Sequence, residues 1–417
     1  MNPQMKLLTT PPSDDDELES WLSAHLGELM TPAPTGSPLR GGQQAADSAL
    51  QAFDVTGYAR RRNNVWPERS RGASRLSPYI RHGLLRLGEV WDHVADGPPD
   101  DKGKFRDELL WQEYARHLYA RTGTASGRSL RFAVEERSAG SAPGADPWSA
   151  TEALCLESTW QELVSDGWLT NQTRMWLASH WSVRGDWGWR DGEDLMFRHL
   201  LDGSRAANRL GWQWTVGALT GNAYGFSRWQ VEKRAPGLCG KCPLAQCCPV
   251  ADWPPTQERQ PLAISAERLR RDDDLAATAG PTATRRTGEP EAVWITAESL
   301  SDRDPAVAAH PELPVVFVFD EPLLARLRLS VNRFRFLAQT LADLATRREL
   351  EVWRGDPVAV LAGRRLATTF APVPGWHSRA AQLEVAALHP WPWLMRPGAG
   401  PVSSYTAWRR GLSRRGG

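Results

Sequence analysis

Four of the five cysteines lie within ten residues of sequence, and their spacing is typical of metal ligands. The pattern is Cys239-x2-Cys242-x5-Cys248, with Cys247 beside the last of these. In a reducing compartment such a pattern indicates a metal rather than disulfides, and thiolates select zinc or an iron–sulfur cluster. Three ligands in one loop need a fourth, and Cys155 is the only other cysteine. Buried structural thiols are the alternative.

Two further segments carry residues suited to binding an anion and a flat ring. In GASRLSPYIRHG (72–83), small and hydroxyl residues precede a predicted helix and leave backbone N–H groups free for phosphate. An ordinary capped helix explains the same pattern. In DELLWQEYARHL (107–118), Glu108 and Trp111 share one helix face. An acid beside an indole can hydrogen-bond a flat heterocycle while the indole packs against it, although an amphipathic helix with one solvated Glu is the alternative.

These segments and two later ones resemble, in order, the photolyase/cryptochrome family. The segment GASRLSPYIRHG is similar to the family's SxLSPYLxxG, and DELLWQEYARHL to ELIWREFYRHL. The segment GWLTNQTRM (167–175) is similar to GWMHNRxRM. The most specific match is GWRDGEDLMFRHLLDGSRAANRLGWQWTVG (188–217), which is similar to DWRxGExxFxxxLxDGDxAxNxGGWQW. The resemblance covers residues 40 to about 230.

The resemblance implies an FAD cofactor and assigns roles to individual residues. The flavin-contacting positions it implies are Tyr58, Ser74, Leu76, Ser77, Arg174, Asp202, Ser204 and Asn208. The indole nearest the flavin would be Trp212, with Trp189 as a second electron carrier. The lesion-facing residues it implies are Glu108, Trp111, Asn171, Met175 and Trp214.

The implied activity is that of a deoxyribodipyrimidine photolyase. Blue light would drive an electron from reduced FAD to a cyclobutane pyrimidine dimer in damaged DNA, the expected partner. Four residues depart from the family pattern, namely Thr170 for His, Gln172 for Arg, Ser204 for Asp and Leu210 for Gly. The missing His argues against repair of (6-4) photoproducts. A cryptochrome-like photoreceptor without repair activity is the main alternative, and a non-photochemical flavin or iron–sulfur redox protein is a third class.

The cysteine loop resembles that of iron–sulfur bacterial photolyases and cryptochromes. Those proteins place one ligand ahead of the GWMHN-like helix and the others in a CxxC…CP loop. The resemblance therefore implies a [4Fe–4S] cluster on Cys155, Cys239, Cys242 and Cys248. A zinc site that uses Cys247 as well as Cys248 is the alternative.

The elements that must position these residues change in type along the chain. The apolar period is mostly helical from about 40 to 235, and short β-branched runs alternate with helical stretches after 291. We therefore expect an all-α FAD-binding domain followed by a small Rossmann-like α/β domain. The α/β part resembles the domain that normally opens these proteins, so the order looks circularly permuted, and an antenna chromophore cannot be assumed. The expected segments are an arm (1–38), the helical domain (39–254), a linker (255–290), the α/β domain (291–395) and a tail (396–417).

Length and composition set wider limits. A chain of 417 residues predicts two domains. Its formal net charge of +1 does not exclude DNA binding, which needs only a local basic face, and it contains 21 Trp, more than core filling alone suggests. No apolar run predicts a membrane span or a signal peptide, so we expect a cytoplasmic protein. We expect a monomer.

Overall fold

The computed structural model describes most of the chain, and the described residues form two units. The described ranges are 5–33, 36–139, 148, 152–256, 258–263 and 267–413. The first unit takes its described residues from 1–53, 75–93 and 274–398, and the second takes them from 54–74, 94–273 and 399–417. Each unit is assembled from three separate segments of the chain. The sequence analysis had predicted that each domain would be one continuous segment.

The secondary structure is mostly helical. In chain order the helices are α1 Asp15–Leu26, α2 Gln43–Ala52, α3 Tyr58–Arg61, α4 Ser77–Arg81, α5 Leu87–His93, α6 Pro99–Thr122, α7 Leu154–Asp166, α8 Asn171–Ser179, α9 Trp189–His199, α10 Arg205–Thr215, α11 Arg228–Arg234, α12 Leu275–Ala279, α13 Pro305–Ala309, α14 Glu321–Leu327, α15 Val331–Ala345, α16 Pro357–Leu361, α17 Pro374–Ala380 and α18 Tyr405–Ser413. The strands are β1 Lys6–Leu8, β2 Arg285–Arg286, β3 Ala292–Ile295, β4 Val315–Asp320, β5 Leu350–Gly355, β6 Leu366–Thr369 and β7 Val385–His389. None of the described helices has both the length and the apolar composition of a membrane span.

The first unit is built on a seven-stranded sheet with the order β1-β5-β4-β3-β6-β7-β2. The five central strands run parallel to one another, and the two edge strands are antiparallel. All residues of β3 are buried, because a central parallel strand is covered on both faces. Part of the cover comes from α15, whose Phe334 stacks on Phe319 of β4 with ring centroids 6.3 Å apart. The α/β fold predicted for the strand-like runs fits this unit.

Both edges of the sheet come from segments predicted to be an arm and a linker. Strand β1 pairs with β5, and β2 pairs with β7. Helix α1, which follows β1, buries Leu18, Trp21 and Leu22. These edge strands have two or three residues and no alternating apolar pattern. Their pairing depends on tertiary neighbours rather than on local propensity, which is why composition does not predict it.

The second unit is helical, and its interior is rich in tryptophan. Its fully buried indoles include Trp148, Trp176, Trp181, Trp189 and Trp212. Helix α7 ends at Asp166 and is followed by Gly167, which has a φ of 68°. A Cβ at Gly167 would lie 2.8 Å from Leu201 Cγ. Helix α8 begins after Thr170, whose hydroxyl accepts the Thr173 N–H at 3.3 Å. The glycine turn and the threonine cap together place the start of α8 against the core.

Asp304 gives the first unit a pH-dependent stability. Its buried carboxylate caps α13 and accepts the Thr369 hydroxyl at 2.6 Å. Burial outweighs these hydrogen bonds and raises the pKa of Asp304 to about 6. The protonated side chain therefore favours the folded state, and this contribution is lost as pH rises from about 4 through 6.

We expect the free energy of unfolding to fall between pH 4 and 7 by about 2–3 kcal/mol more in the natural protein than in Asp304→Asn. The amide keeps the cap and the acceptor for Thr369 but does not titrate. Guanidinium unfolding of both proteins at several pH values measures the difference. Parallel pH profiles for the two proteins would contradict the raised pKa.

Candidate functional site

The Arg174–Asp202 ion pair joins α8 to the turn that follows α9. The two guanidinium Nη atoms reach the two carboxylate oxygens at 3.1 and 2.7 Å. The same guanidinium donates twice to the Leu169 carbonyl, at 3.1 Å each. Bidentate geometry fixes both side chains, because each hydrogen bond restricts the same planar group. Two residues predicted to contact the flavin are thus held together.

Asn208 is oriented by a buried carboxylate that the sequence analysis did not single out. The Glu193 side chain is completely buried. Its Oε1 accepts the Asn208 amide at 2.9 Å, and its Oε2 lies 2.6 Å from Arg205 Nη1. Among the described residues no donor reaches Asn208 Oδ1, so this oxygen is available to a ligand. The only sequence signal for Glu193 was its place in the GE pair of the longest matching segment.

Trp212 is buried in the same core, beside Gly192. A Cβ at Gly192 would come within 2.3 Å of Trp212 Cη2, so the indole needs glycine at that position. The buried Nε1 atoms of Trp212 and Trp189 have no hydrogen-bond partner in the described part of the protein. Within that part, no ring contact joins Trp189 to Trp212. The predicted pair of electron carriers is therefore buried, but its two rings do not touch.

The predicted lesion-facing residues of α8 and α10 include exposed side chains. Asn171 is exposed at the start of α8, and Met175 is half-buried one turn later. Trp214 is 37% exposed, with its ring centroid 5.5 Å from that of Tyr224. The Tyr224 hydroxyl in turn accepts the side-chain amide of Gln172 at 3.0 Å. The buried Gln172, which stands where the family often has Arg, therefore hydrogen-bonds another side chain of the protein.

The other two predicted lesion-facing residues lie on α6 and have protein partners. Glu108 Oε1 lies 3.2 Å from both Arg62 Nε and Lys104 Nζ. The Trp111 indole stacks on Tyr405 of α18, with ring centroids 4.0 Å apart and planes within 10°. One face of the Trp111 ring is thus covered by the chain itself.

The remaining predicted flavin contacts are divided between the units. In the second unit Tyr58 is buried and meets Phe105 edge-on, with centroids 4.9 Å apart. Ser74, the last residue of segment 54–74 of that unit, is half-buried. Ser204, which directly precedes α10, is also half-buried. In the first unit Leu76 is fully buried and Ser77 begins α4.

The four predicted metal ligands surround one cavity of the second unit. Its lining residues are Ala153, Leu154, Cys155, Arg228, Leu238, Cys239, Cys242, Leu244, Ala245, Cys248 and Val250. Cys247 is exposed and does not line it. Burial, together with the neighbouring cysteines, raises the pKa of Cys155 to about 12. Among the described residues, no three His, Cys, Asp or Glu side chains meet closely enough to hold a single metal ion.

Comparison with known proteins gives a partial match. Residues 105–232 match the family described as the FAD binding domain of DNA photolyase. A deoxyribodipyrimidine photo-lyase of Thermus thermophilus is 34% identical over 210 residues, which cover 46% of this chain and 46% of that protein. One from Synechococcus sp. is 30% identical over 199 residues, or 43% of this chain and 40% of that protein.

A solved structure is also similar. A bacterial class III photolyase from Agrobacterium tumefaciens aligns with a TM-score of 0.36 and 24% identity, covering 42% of this chain and 37% of that one. The chain thus spans less than half the length of the curated relatives it matches. The family match of residues 105–232 and the two photo-lyase sequences support the predicted resemblance to the photolyase/cryptochrome family and the predicted FAD-binding domain.

The Arg174–Asp202 pair should contribute to stability. The replacement Arg174→Ala leaves the Asp202 side chain, which is only 7% exposed, without its cation. We expect the free energy of unfolding to fall by about 2–4 kcal/mol, because an unpaired buried charge is costly. Urea unfolding measures the loss.

The matched control is Arg137→Ala, since Arg137 also reaches two carboxylate oxygens, one each of Asp191 and Asp194, but is 53% exposed. It should lose no more than about 1 kcal/mol. Equal losses for the two variants would contradict the importance of burial at Asp202.

Proposed function

We propose that this protein binds FAD and uses blue light to split cyclobutane pyrimidine dimers in DNA. The observation that carries the proposal is the match of residues 105–232 to the FAD binding domain of DNA photolyase. Named relatives with this activity, 30–34% identical over about 200 residues, support it. The paired Arg174 and Asp202 and the oriented Asn208 lie within or beside the matched segments, as the family pattern requires.

The described residues of the second unit fit a flavin ring. On α10, Asn208 Oδ1 offers a hydrogen-bond acceptor. On α8, the half-buried Arg174 guanidinium is held in place by Asp202. Trp212 supplies a buried indole whose Nε1 lacks a partner among the described residues. When bound and fully reduced, FAD supplies the photoexcited electron that splits the dimer and takes it back afterwards. The protein residues hold the ring, exclude water and fix the local charges.

Damaged DNA would be bound through exposed rings, amides and cations. Trp214 presents a partly exposed indole for stacking, and Asn171 an exposed amide for a base carbonyl. A flipped-out lesion suits such a surface, because extrusion costs least at a damaged pair. Of the nearby arginines, Arg60 and Arg69 are exposed and suited to phosphate, whereas Arg71 is paired with Glu162 at 2.5 Å.

We also propose a [4Fe–4S] cluster on Cys155, Cys239, Cys242 and Cys248. All four line one cavity, and four thiolates are the ligand set of a [4Fe–4S] cluster. The raised pKa of Cys155 keeps this thiol protonated at neutral pH, so a bound metal must supply the positive charge that releases its proton. A cluster would tie the cysteine loop to α7.

A photoreceptor function is the second candidate, and one contact favours it. Tyr405 covers a face of Trp111, the ring expected to stack on a lesion. In that case the same flavin would alter a surface instead of repairing DNA. We further propose that the α/β part is the displaced counterpart of the domain that normally opens these proteins, so that the chain is circularly permuted.

Replacing Glu108 should test repair directly. We expect Glu108→Gln to bind FAD normally but to lower the yield of dimer repair by about tenfold, because an amide N–H is a weaker donor to the lesion's carbonyl than the O–H of a carboxylic acid. Repair is followed as the return of thymine absorbance in an irradiated oligothymidylate, with the flavin reduced and oxygen absent. Glu258→Gln, which changes an exposed Glu of the same unit, is the control. Unchanged repair in Glu108→Gln would remove Glu108 from the site, and no repair in the natural protein would favour the photoreceptor.

Two adjacent cysteines give a matched test of the metal site. Cys248 lines the cavity and Cys247 does not. We expect Cys248→Ser to lose most of its iron and acid-labile sulfide after anaerobic purification, and Cys247→Ser to keep both. Stoichiometric zinc without sulfide in the natural protein would contradict the cluster. Equal loss in both variants would contradict the assignment of Cys248.

A further inference from the structure

Two exposed indoles lie together on the second unit, outside the site described above. The exposed large apolar side chains described for this unit are all indoles, namely Trp66, Trp214, Trp229 and Trp253. Trp229 on α11 is 58% exposed and Trp253 is 52% exposed, and their ring centroids are 6.5 Å apart. Single exposed apolar residues are ordinary, but an adjacent pair of exposed indoles is typical of a binding surface.

A cation lies over one of these rings. The Lys233 ammonium is 4.7 Å from the centre of the Trp229 ring and has no ion-pair partner among the described residues. Glu232, the acid next to it in the chain, is paired with Arg228 at 2.8 Å. Trp229, Trp253 and Lys233, which we call the α11 surface, thus offer flat rings beside an unpaired positive charge. Such a surface suits a ligand that carries both aromatic rings and anions.

The α11 surface is joined to the predicted lesion site through Tyr224. The Tyr224 ring centroid is 5.5 Å from that of Trp214, which is predicted to face the lesion. The Tyr224 hydroxyl donates to Gln230 Oε1 at 2.9 Å, and Gln230 follows Trp229 on α11. These contacts hold the start of α11 beside the surface on which Trp214 is exposed.

Gly225 allows the second indole to join this surface. A Cβ built on Gly225 would lie 2.6 Å from Pro254 Cγ and 3.7 Å from Trp253 Cε3. A side chain at this position would therefore push the segment of Trp253 away from Tyr224. Glycine directly after Tyr224 thus brings Trp253 to the same side of the unit as Trp229.

We infer that the α11 surface binds the DNA strand beside the lesion. Unpaired bases next to the dimer stack on Trp229 and Trp253, and Lys233 contacts a phosphate. The inference rests on the proposed repair function, because that function places the lesion at Trp214. Every base has a π face, so stacking holds the strand without reading its sequence. A paired strand keeps its base faces inside the duplex, so this surface favours lesions with unpaired neighbours.

The composition of α11 favours a nucleic acid over a lipid surface. Apart from Trp229, its only apolar residue is Val231, which is fully buried. A helix that lies on a membrane needs a continuous apolar face, and α11 has none. The connection to Trp214 through Tyr224 favours DNA over a protein partner, since the same strand would continue from one exposed indole to the next.

Two oligothymidylates with one cyclobutane dimer each test the surface on the full-length protein. One ends directly beside the dimer, and the other continues for several thymidines on both sides. We expect Trp229→Ala to lose about tenfold in affinity for the longer oligonucleotide and to bind the shorter one normally, because it removes one stacking ring. Trp229→Phe keeps a ring and should keep most of the affinity.

The matched control is Trp66→Ala. Trp66 is also an exposed indole, and its ring centre is 6.0 Å from the Lys241 ammonium. Its main-chain N–H donates to the Arg234 carbonyl at the other end of α11, away from Tyr224. We expect this variant to bind both oligonucleotides as the natural protein does.

The phosphate contact has a separate measurement, the salt dependence of binding. Lys233→Gln should lower the slope of log affinity against log salt concentration by about 0.7 for the longer oligonucleotide, because one phosphate contact of a single strand is lost. The slope for the shorter oligonucleotide should not change. An unchanged slope for the longer one would remove Lys233 from the surface.

The remaining outcomes separate the surface from the proposed function. If Trp229→Ala binds and repairs both oligonucleotides as the natural protein does, the surface is overturned and the proposed function stands. Trp229-dependent binding to vesicles of phosphatidylcholine and phosphatidylserine, without an effect on DNA, would also overturn it. A natural protein that binds FAD but repairs neither oligonucleotide would refute the proposed function. Trp229-dependent binding of undamaged oligothymidylate would in that case still support the surface.

Discussion

The arrangement of the second unit depends on the burial of one carboxylate, Glu193. Burying an isolated carboxylate costs several kcal/mol, so the charge must be paired wherever it lies. Here Arg205, Arg190 and Asn208 surround it, the first at 2.6 Å and the second at 3.4 Å. Because Glu193 is on α9 and two of its partners are on α10, the two helices cannot slide past each other without unpairing it. The position of Asn208, and of Trp212 one turn later, follows from this constraint.

One hydrophobic core contains the buried indoles of the second unit and borders the cysteine cavity. Cys155, Trp160, Trp181 and Trp212 belong to one cluster of buried residues, against which Cys239 and Cys248 pack. A metal that fixed the cysteine loop would therefore also stiffen the packing around the indoles. The cysteines thus share a packed core with Trp212, although they lie outside the predicted flavin contacts.

Local signals in the sequence were enough for some features and not for others. The strand-like runs after 291 appear as strands of the sheet, and Arg174 pairs with a carboxylate that the family pattern had already named. Strands β1 and β2 were missed because two or three residues carry no periodicity. The cover over Trp111 was missed because Tyr405 is nearly three hundred residues away.

The chain passes between the two units five times, at residues 53–54, 74–75, 93–94, 273–274 and 398–399. The stretch that matches the FAD binding domain, 105–232, is thus only part of its unit, which also draws on residues near 60 and near 405. A fragment cut to the matched boundaries would lack Tyr58, the partner Arg62 and the whole of α18. Nor can a ribosome finish one unit before starting the other. The two units are therefore expected to fold together, late in synthesis, and to be inherited as one piece rather than exchanged separately between proteins.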